Sequence, residues 1–315
     1  MVRKGSGTSH AKIILIGEHS VVYGQPAIAL PLSRVTCTAT MTETLTPVRT
    51  IDSRYFDGLI TELPEQMAGV RKLLDRLIRY FNGEKDYWHL SITSMLPAER
   101  GMGSSAATAV AIIKSFFDYY DTSLDQDLLL KLADVEEQVT HRSPSGLDAA
   151  TVSSIQPIWY VKGKQNESLS MNIDGTLLIV DTGVHGQTKE AIAAVKQELE
   201  NNSTKATKRI SHLGQLTTET RQHLIKNEVA LLGKCLTLAQ HDLSALSVSH
   251  PSIDSLIDVA MNEGALGAKL TGGGRGGCFL VLLPNESAAK LLAVKMVEAG
   301  ASATWIQPLS GGFED

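Results

Sequence analysis

The chain has 315 residues, 29 Lys+Arg against 34 Asp+Glu, a formal net charge of −5 and 43% hydrophobic residues. Its length suggests two domains, and its apolar content suffices for a packed core, which excludes wholesale disorder. The mild acidity excludes a nucleic-acid or anionic-membrane binder working through bulk charge, but not a local site for a small anion.

In chain order, the basic start gives way to an apolar run of only Ile13–Ile16, so no signal peptide is expected. Ala11–Ile16 reads as a buried strand ending in a polar turn at Gly17–His19, and Ala27–Leu32 as a second strand. Val35–Thr42 sets Val35, Cys37, Ala39 and Met41 against four threonines, the alternation of a half-buried strand. Val70, Leu73, Leu74, Leu77, Ile78 and Phe81 recur at helical spacing and predict an amphipathic helix over 65–82. Trp88, Leu90 and Ile92 mark a strand. Gly103–Tyr120 and Leu124–His141 read as successive helices, with strands near 157–162 and 177–182.

The second half reads as mainly helical, over 187–201, 205–246 and 252–263. It closes with a strand at 267–271, a glycine loop, a strand at 278–283, a helix at 285–299 and a strand at 303–308. Strands and helices are grouped rather than strictly alternating, which favours α+β over a doubly wound sheet. The polar stretch KGKQNESLSMNIDG places a boundary between 165 and 176, dividing the chain into 1–172 and 173–315. No segment approaches ~18 consecutive apolar residues, so no membrane span is expected. Cys37, Cys235 and Cys278 are far apart, with no CxxC or Cys/His cluster. They read as buried, reduced thiols of a cytoplasmic protein.

Four segments carry candidate chemistry. Pro97–Ala107, with Gly101, Gly103, Ser104 and Ser105, follows a strand and opens a helix. Close backbone approach and a helix N-terminus suit a phosphate, and the serine hydroxyls suit a phosphate oxygen or Mg²⁺. The lysine of a P-loop is missing, and a plain helix start with a serine N-cap is the alternative. In Glu136–Asp148, Glu137 and His141 share a helix face, and Pro144 and Gly146 then turn the chain to project Ser145 and Asp148 from a loop. A surface i,i+4 pair followed by an ordinary turn explains the same residues, and zinc is disfavoured because no HExxH order or third ligand is present.

Thr271–Gly277, with five glycines in the six residues 272–277, lies between the flanks Ala268–Leu270 and Cys278–Leu283, read as apolar. Anchored at both ends, it suits packing against another loop and a nucleotide's phosphates better than a free linker. Lys12, leading into the first strand, is equally readable as a snorkelling surface lysine. His19, taken singly, reads as structural more readily than as a ligand contact.

Together and in this order, the four segments resemble the GHMP kinase superfamily. Pro97–Ala107 resembles its central phosphate loop and Lys269–Gly277 its C-terminal glycine motif. Within the superfamily, Gly17-Glu18-His19-Ser20-Val21-Val22-Tyr23-Gly24, the segment His141–Asp148 and Asp181–Thr188 resemble the mevalonate kinases. Arg142-Ser143 departs from the more usual Gly-Asn or Gly-Thr, while the charged and turn-forming positions are kept.

The resemblance implies a two-domain α+β fold, with an N-terminal ribosomal protein S5 domain 2-like domain, a C-terminal ferredoxin-like domain and the active site in the cleft between them. It implies ATP-dependent phosphorylation of the C5 hydroxyl of (R)-mevalonate to 5-phosphomevalonate, in the mevalonate pathway of isoprenoid biosynthesis. By motif position Asp148 takes the catalytic carboxylate role and Lys12 that of its cationic neighbour. Ser105 and Glu137 hold Mg²⁺. His19 and Thr188, with Glu18 and Ser145, contact mevalonate. Pro97, Arg100, Gly101, Met102, Gly103, Ser104, Ser105, Ala106, Gly273 and Gly274 shape the ATP phosphate site. The implied partners are ATP and mevalonate, with no nucleic acid and no membrane. Apolar faces in 205–246 leave a homodimer open. A phosphomevalonate kinase and a non-catalytic ligand-sensing relative are the alternatives. Basic candidates for an extra phosphate exist in Arg142, Lys189 and Arg275, whereas keeping Lys12, Glu137 and Asp148 together exceeds what binding alone requires.

Overall fold

The computed structural model describes residues 2–97, 100–140 and 146–310. Backbone packing separates the chain into two compact units. The first comprises Met1–Ala11, Leu32–Ala98 and Gly103–Ser153, and the second Lys12–Pro31, Glu99–Met102 and Ser154–Asp315. This division is discontinuous in sequence, unlike the single cut expected after residue 172.

The first unit holds strands β1 (Lys4–Ile16, through Ala11), β2 (Ala27–Glu43, from Leu32), β3 (Arg49–Ser53), β4 (Phe56–Leu59) and β5 (Trp88–Ser94). Its helices are α1 (Ala68–Tyr80), α2 (Ser104–Tyr119), α3 (Gln126–Thr140) and α4 (Leu147–Val152). Strand order is β4-β3-β5-β2, with β1 also on β2. β5 runs antiparallel to β2, Cys37 facing Ser94 and Glu43 facing Trp88, and parallel to β3. The alternation expected in β2 holds: Val35, Cys37, Ala39 and Met41 are buried. Helix α1 buries Val70, Leu73, Leu74, Leu77 and Ile78, each contributing roughly 1.5–3 kcal/mol over an exposed position. Trp88 meets Phe116 edge-on at 5.4 Å between ring centroids, and Phe81 stacks on Tyr120 at 4.4 Å.

Strand β1 begins seven residues before its expected start at Ala11. Its inward positions there are Gly5, Gly7 and Ser9 rather than large apolar side chains. A Cβ on Gly5 would lie 2.2 Å from the Tyr119 backbone nitrogen, so glycine is what lets the strand lie directly on α2. The two strands expected at 27–32 and 35–42 are one strand, β2, with Ser33 and Arg34 exposed between its two stretches.

The second unit holds the start of β2, paired with β6 (Ile158–Tyr160), which pairs in turn with β7 (Glu167–Ser168). Beyond these come β8 (Thr176–Asp181), α5 (Thr188–Asn201), α6 (Ser203–Lys226), α7 (Val229–Ala245), α8 (Pro251–Asn262), β9 (Gly267–Leu270), β10 (Cys278–Leu283), α9 (Glu286–Glu298) and β11 (Ala303–Pro308). The four strands β8–β11 form an antiparallel sheet in the order β11-β8-β10-β9, fourth-first-third-second in chain order, as in a ferredoxin-like domain. Every residue of β8 and β10 is buried. The helix expected over 205–246 is two, broken at Asn227, which sits in the left-handed region with φ 58°. Cys37, Cys235 and Cys278 are buried free thiols. Among the described residues no helix is long and apolar enough to cross a membrane.

Candidate active site

In the second unit, three contacts join the segment Lys12–His19 to the glycine-rich segment that begins 251 to 257 positions later in the chain. Thr271 Oγ1 accepts from the Ile14 N–H at 3.1 Å and donates to the Ile14 carbonyl at 2.9 Å, so one side chain acts as a strand partner. Lys269 Nζ donates to Glu18 Oε1 at 2.5 Å. His19 Nε2 lies 2.9 Å from the Gly273 carbonyl.

A carbonyl only accepts, so the His19 hydrogen is on Nε2 and Nδ1 is left as an acceptor. Burial, opposed by the Gly273 hydrogen bond and reinforced by the Lys269 charge, lowers the His19 pKa to about 4. The ring is therefore neutral at pH 7. Its backbone has a positive φ of 59°, a strained conformation that the flanking Lys269 and Gly273 contacts hold in place.

Glu18 and Lys269 have side-chain exposures of 1% and 0%. Burial raises the Glu18 pKa, against the lowering charges of Lys269 and, more weakly, Lys12. The Glu18 carboxylate was expected at the substrate. It is instead enclosed and committed to Lys269, a role of holding the turn.

Loop 100–102 lies on the same segments. Lys12 N–H donates to the Met102 carbonyl at 3.0 Å, while the Met102 side chain is buried in the core. A Cβ on Gly272 would sit 2.9 Å from the Gly101 Cα, and both residues have positive φ, 77° and 80°, so two glycines let the loops pass in backbone contact. Arg100, expected at the ATP phosphates, directs Nε to Asp181 at 3.0 Å and Nη2 to the Gly183 carbonyl at 3.1 Å. Its guanidinium pins the loop to the end of β8. Thr188, the first residue of α5, places Oγ1 2.2 Å from where a Gly273 Cβ would be, and Gln187 N–H donates to the Gly274 carbonyl at 3.2 Å. His19, Thr188, Gly273 and Gly274 thus form one neighbourhood.

In the first unit, α2 starts without a side-chain cap. Its N-cap is Gly103, at φ 74°, and Ser104, Ser105 and Ala106 form the first turn. The serine N-cap alternative is not what forms, and the uncapped N–H groups suit an anion. Ser105 Oγ donates to Glu136 Oε1 at 2.5 Å, not to Glu137 with which it was expected to act. Glu137 faces Asp148 and the Gly146 N–H. Burial first, then the Asp148 charge, raises the Glu137 pKa to about 7, with the Gly146 hydrogen bond opposing. Asp148, expected on a loop, lies half-buried in the first turn of α4. Pro97 is half-buried after β5. Ser145 and His141 lie outside the described residues.

Among the described residues no group of three His, Cys, Asp or Glu is arranged to hold a metal. Mg²⁺ commonly takes one or two carboxylates and completes its shell with phosphate oxygens and water. Ser105 and Glu137 are oxygen donors of that kind. The anionic Glu137–Asp148 pairing is one that a divalent cation relieves. The motif segments contain Lys269, Thr271, Glu136 and Asp181 but give none of them a role of its own. Lys269 carried a signal: a lysine inside a strand otherwise apolar on both faces needs a buried partner.

Two family models match the chain: the GHMP kinases N-terminal domain over residues 68–154 and the GHMP kinases C-terminal model over 221–302. The mevalonate kinase of Thermococcus sibiricus is 31% identical over 306 residues, covering 91% of this chain and 91% of that protein. This chain belongs to the mevalonate kinase family of the GHMP kinases. A crystal structure of mevalonate kinase from methicillin-resistant Staphylococcus aureus is 32% identical, covering 98% of this chain and 100% of that chain with a TM-score of 0.76. The L. major mevalonate kinase, solved with R-mevalonate, shares the fold at TM-score 0.84 and 23% identity, over 96% of each chain. Between the two matched segments the chain places β6–β8, α5 and most of α6.

Proposed function

We propose that the chain transfers the γ-phosphoryl group of ATP to the C5 hydroxyl of (R)-mevalonate. The observation that carries this reading is the His19–Gly273 hydrogen bond: the histidine of the mevalonate-kinase-like turn is seated on the glycine loop of the kinase motif.

A primary alcohol is a weak nucleophile, and the transition state of phosphoryl transfer is loose, so positioning and electrostatics carry most of the catalysis. In this reading Asp148 accepts the hydrogen bond of the C5 hydroxyl and takes its proton as the O–P bond forms. Lys12 supplies the positive charge that favours the attacking oxygen. His19, neutral and with Nδ1 as acceptor, receives a hydrogen bond from mevalonate, and Thr188 adds a hydroxyl beside it. The uncapped first turn of α2 and the backbone of Gly273 and Gly274 meet the ATP phosphates. Ser105 and Glu137 are the residues that would hold Mg²⁺, which when bound neutralises charge on the β- and γ-phosphates. The reading takes the chain to work in the cytoplasm, where free thiols persist.

The test is ADP release with mevalonate, phosphomevalonate, diphosphomevalonate, homoserine and galactose offered in turn. Turnover on mevalonate, and little on the others, is expected. Turnover on phosphomevalonate alone, or on none, overturns the reading.

A further inference from the structure

We propose that Glu136 is a positioning residue for the nucleotide-bound metal, acting through the hydroxyl of Ser105; the proposal rests on the kinase reading above. Glu136 and Glu137 are adjacent on α3, and both are buried, at 4% and 6% exposure. They face different partners. Glu137 meets the Gly146 N–H and Asp148, whereas Glu136 Oε1 takes the hydrogen of Ser105 Oγ at 2.5 Å.

Ser105 is the second residue of α2, past the Gly103 N-cap, so its hydroxyl has no capping role. The hydroxyl instead donates outward to a carboxylate. A hydroxyl has one hydrogen and two lone pairs. With its hydrogen fixed on Glu136, the oxygen presents lone pairs only. That is the orientation a neutral hydroxyl needs to ligate a hard cation, and an acceptor holding a ligand from behind is the usual way to secure it.

The acceptor itself is fixed. A Cβ at position 69 would lie 2.8 Å from Glu136 Oε1, so Gly69 of α1 leaves just the room the carboxylate occupies. Glu136 is thus gripped between α1 and α2. One side chain sets the rotamer of a ligand in the neighbouring helix.

The experiment measures Mn²⁺ binding by electron paramagnetic resonance on the intact protein with ADP present and mevalonate absent. Glu136→Met, similar in length but unable to accept, should weaken Mn²⁺ binding about tenfold or more, and Glu136→Gln, whose amide oxygen still accepts, should stay within about threefold of the parent. On a Ser105→Ala background Glu136→Met should weaken binding no further. Circular dichroism establishes that each variant is folded; should Glu136→Met fail to fold, Glu136→Ala replaces it in the same cycle. Parental Mn²⁺ affinity in a folded Glu136→Met or Glu136→Ala protein overturns the proposal. So does an equal loss in Glu136→Gln, which makes charge rather than orientation the cause, and so does additivity with Ser105→Ala. Because no mevalonate is used, failure here leaves the reaction assignment standing, and failure of mevalonate turnover leaves this measurement intact.

Discussion

Lys269 Nζ and Glu18 Oε1 lie 2.5 Å apart with both side chains closed off from solvent, at 0% and 1% exposure. The pair ties β9, which runs into the glycine loop, to the turn that carries His19. A buried ion pair contributes little net stability against an apolar substitute, but removing one partner strands the other. Glu18 Oε2 already has no hydrogen-bond partner. Lys269→Met should therefore cost roughly 3–5 kcal/mol in urea unfolding. The double variant Lys269→Met with Glu18→Gln should recover part of that loss. A double variant no more stable than Lys269→Met alone contradicts the pairing argument.

His19 gives a pH dependence. Its folded pKa is lowered from 6.5 to about 4, so the unfolded chain binds the proton more readily. The stability from neutral His19 is fully present above pH 6.5 and is lost as pH falls from 6.5 toward 4. Its size is about 3 kcal/mol, from about 1.4 kcal/mol per pKa unit. His19→Gln keeps an N–H donor for the Gly273 carbonyl but cannot titrate, so its unfolding free energy should fall less between pH 7 and pH 4. Parallel curves for the two proteins would count against the buried, neutral ring. The same variant, lacking the Nδ1 acceptor, should raise KM for mevalonate more than KM for ATP.

Arg100 anchors its loop through Asp181 and the Gly183 carbonyl, with side-chain exposures of 12% and 5% across the ion pair. Arg100→Ala should lower stability by about 2–3 kcal/mol and raise KM for ATP, because Gly101 loses its tether. Asp181→Asn should act in the same direction, since it weakens the same anchor. If Arg100→Ala removes ATP binding while Asp181→Asn leaves both stability and KM unchanged, Arg100 touches the phosphates directly.

Asp148→Asn should reduce turnover by roughly two or more orders of magnitude while ATP binding survives. It should also lower the Glu137 pKa, because Asp148 is the largest charge raising it. Near-normal turnover in Asp148→Asn removes that residue from the mechanism.

Much of the fold was legible because its signals are local. The 3.6-residue recurrence in α1 and the alternation in β2 survive folding unchanged. What was hidden lacked an apolar signature. The first half of β1 packs glycine and serine inward, the β3–β4 hairpin is largely polar, and the break at Asn227 depends on one left-handed residue. In the site, the glycine loops stood out as loops, but their partners did not. Ser105 chooses between two adjacent glutamates, and only the packing of Gly69 on α3 shows which. Glu18 finds Lys269 across 251 positions, a separation no spacing rule reaches.

The most direct measurement on the central claim is phosphorus NMR of the product formed from ATP and (R)-mevalonate. Transfer to the C5 hydroxyl predicts a monoester resonance split into a triplet by the two C5 protons, appearing as ATP is converted to ADP. An unsplit resonance, which marks phosphate on the tertiary C3 hydroxyl, or no monoester at all, would contradict the account.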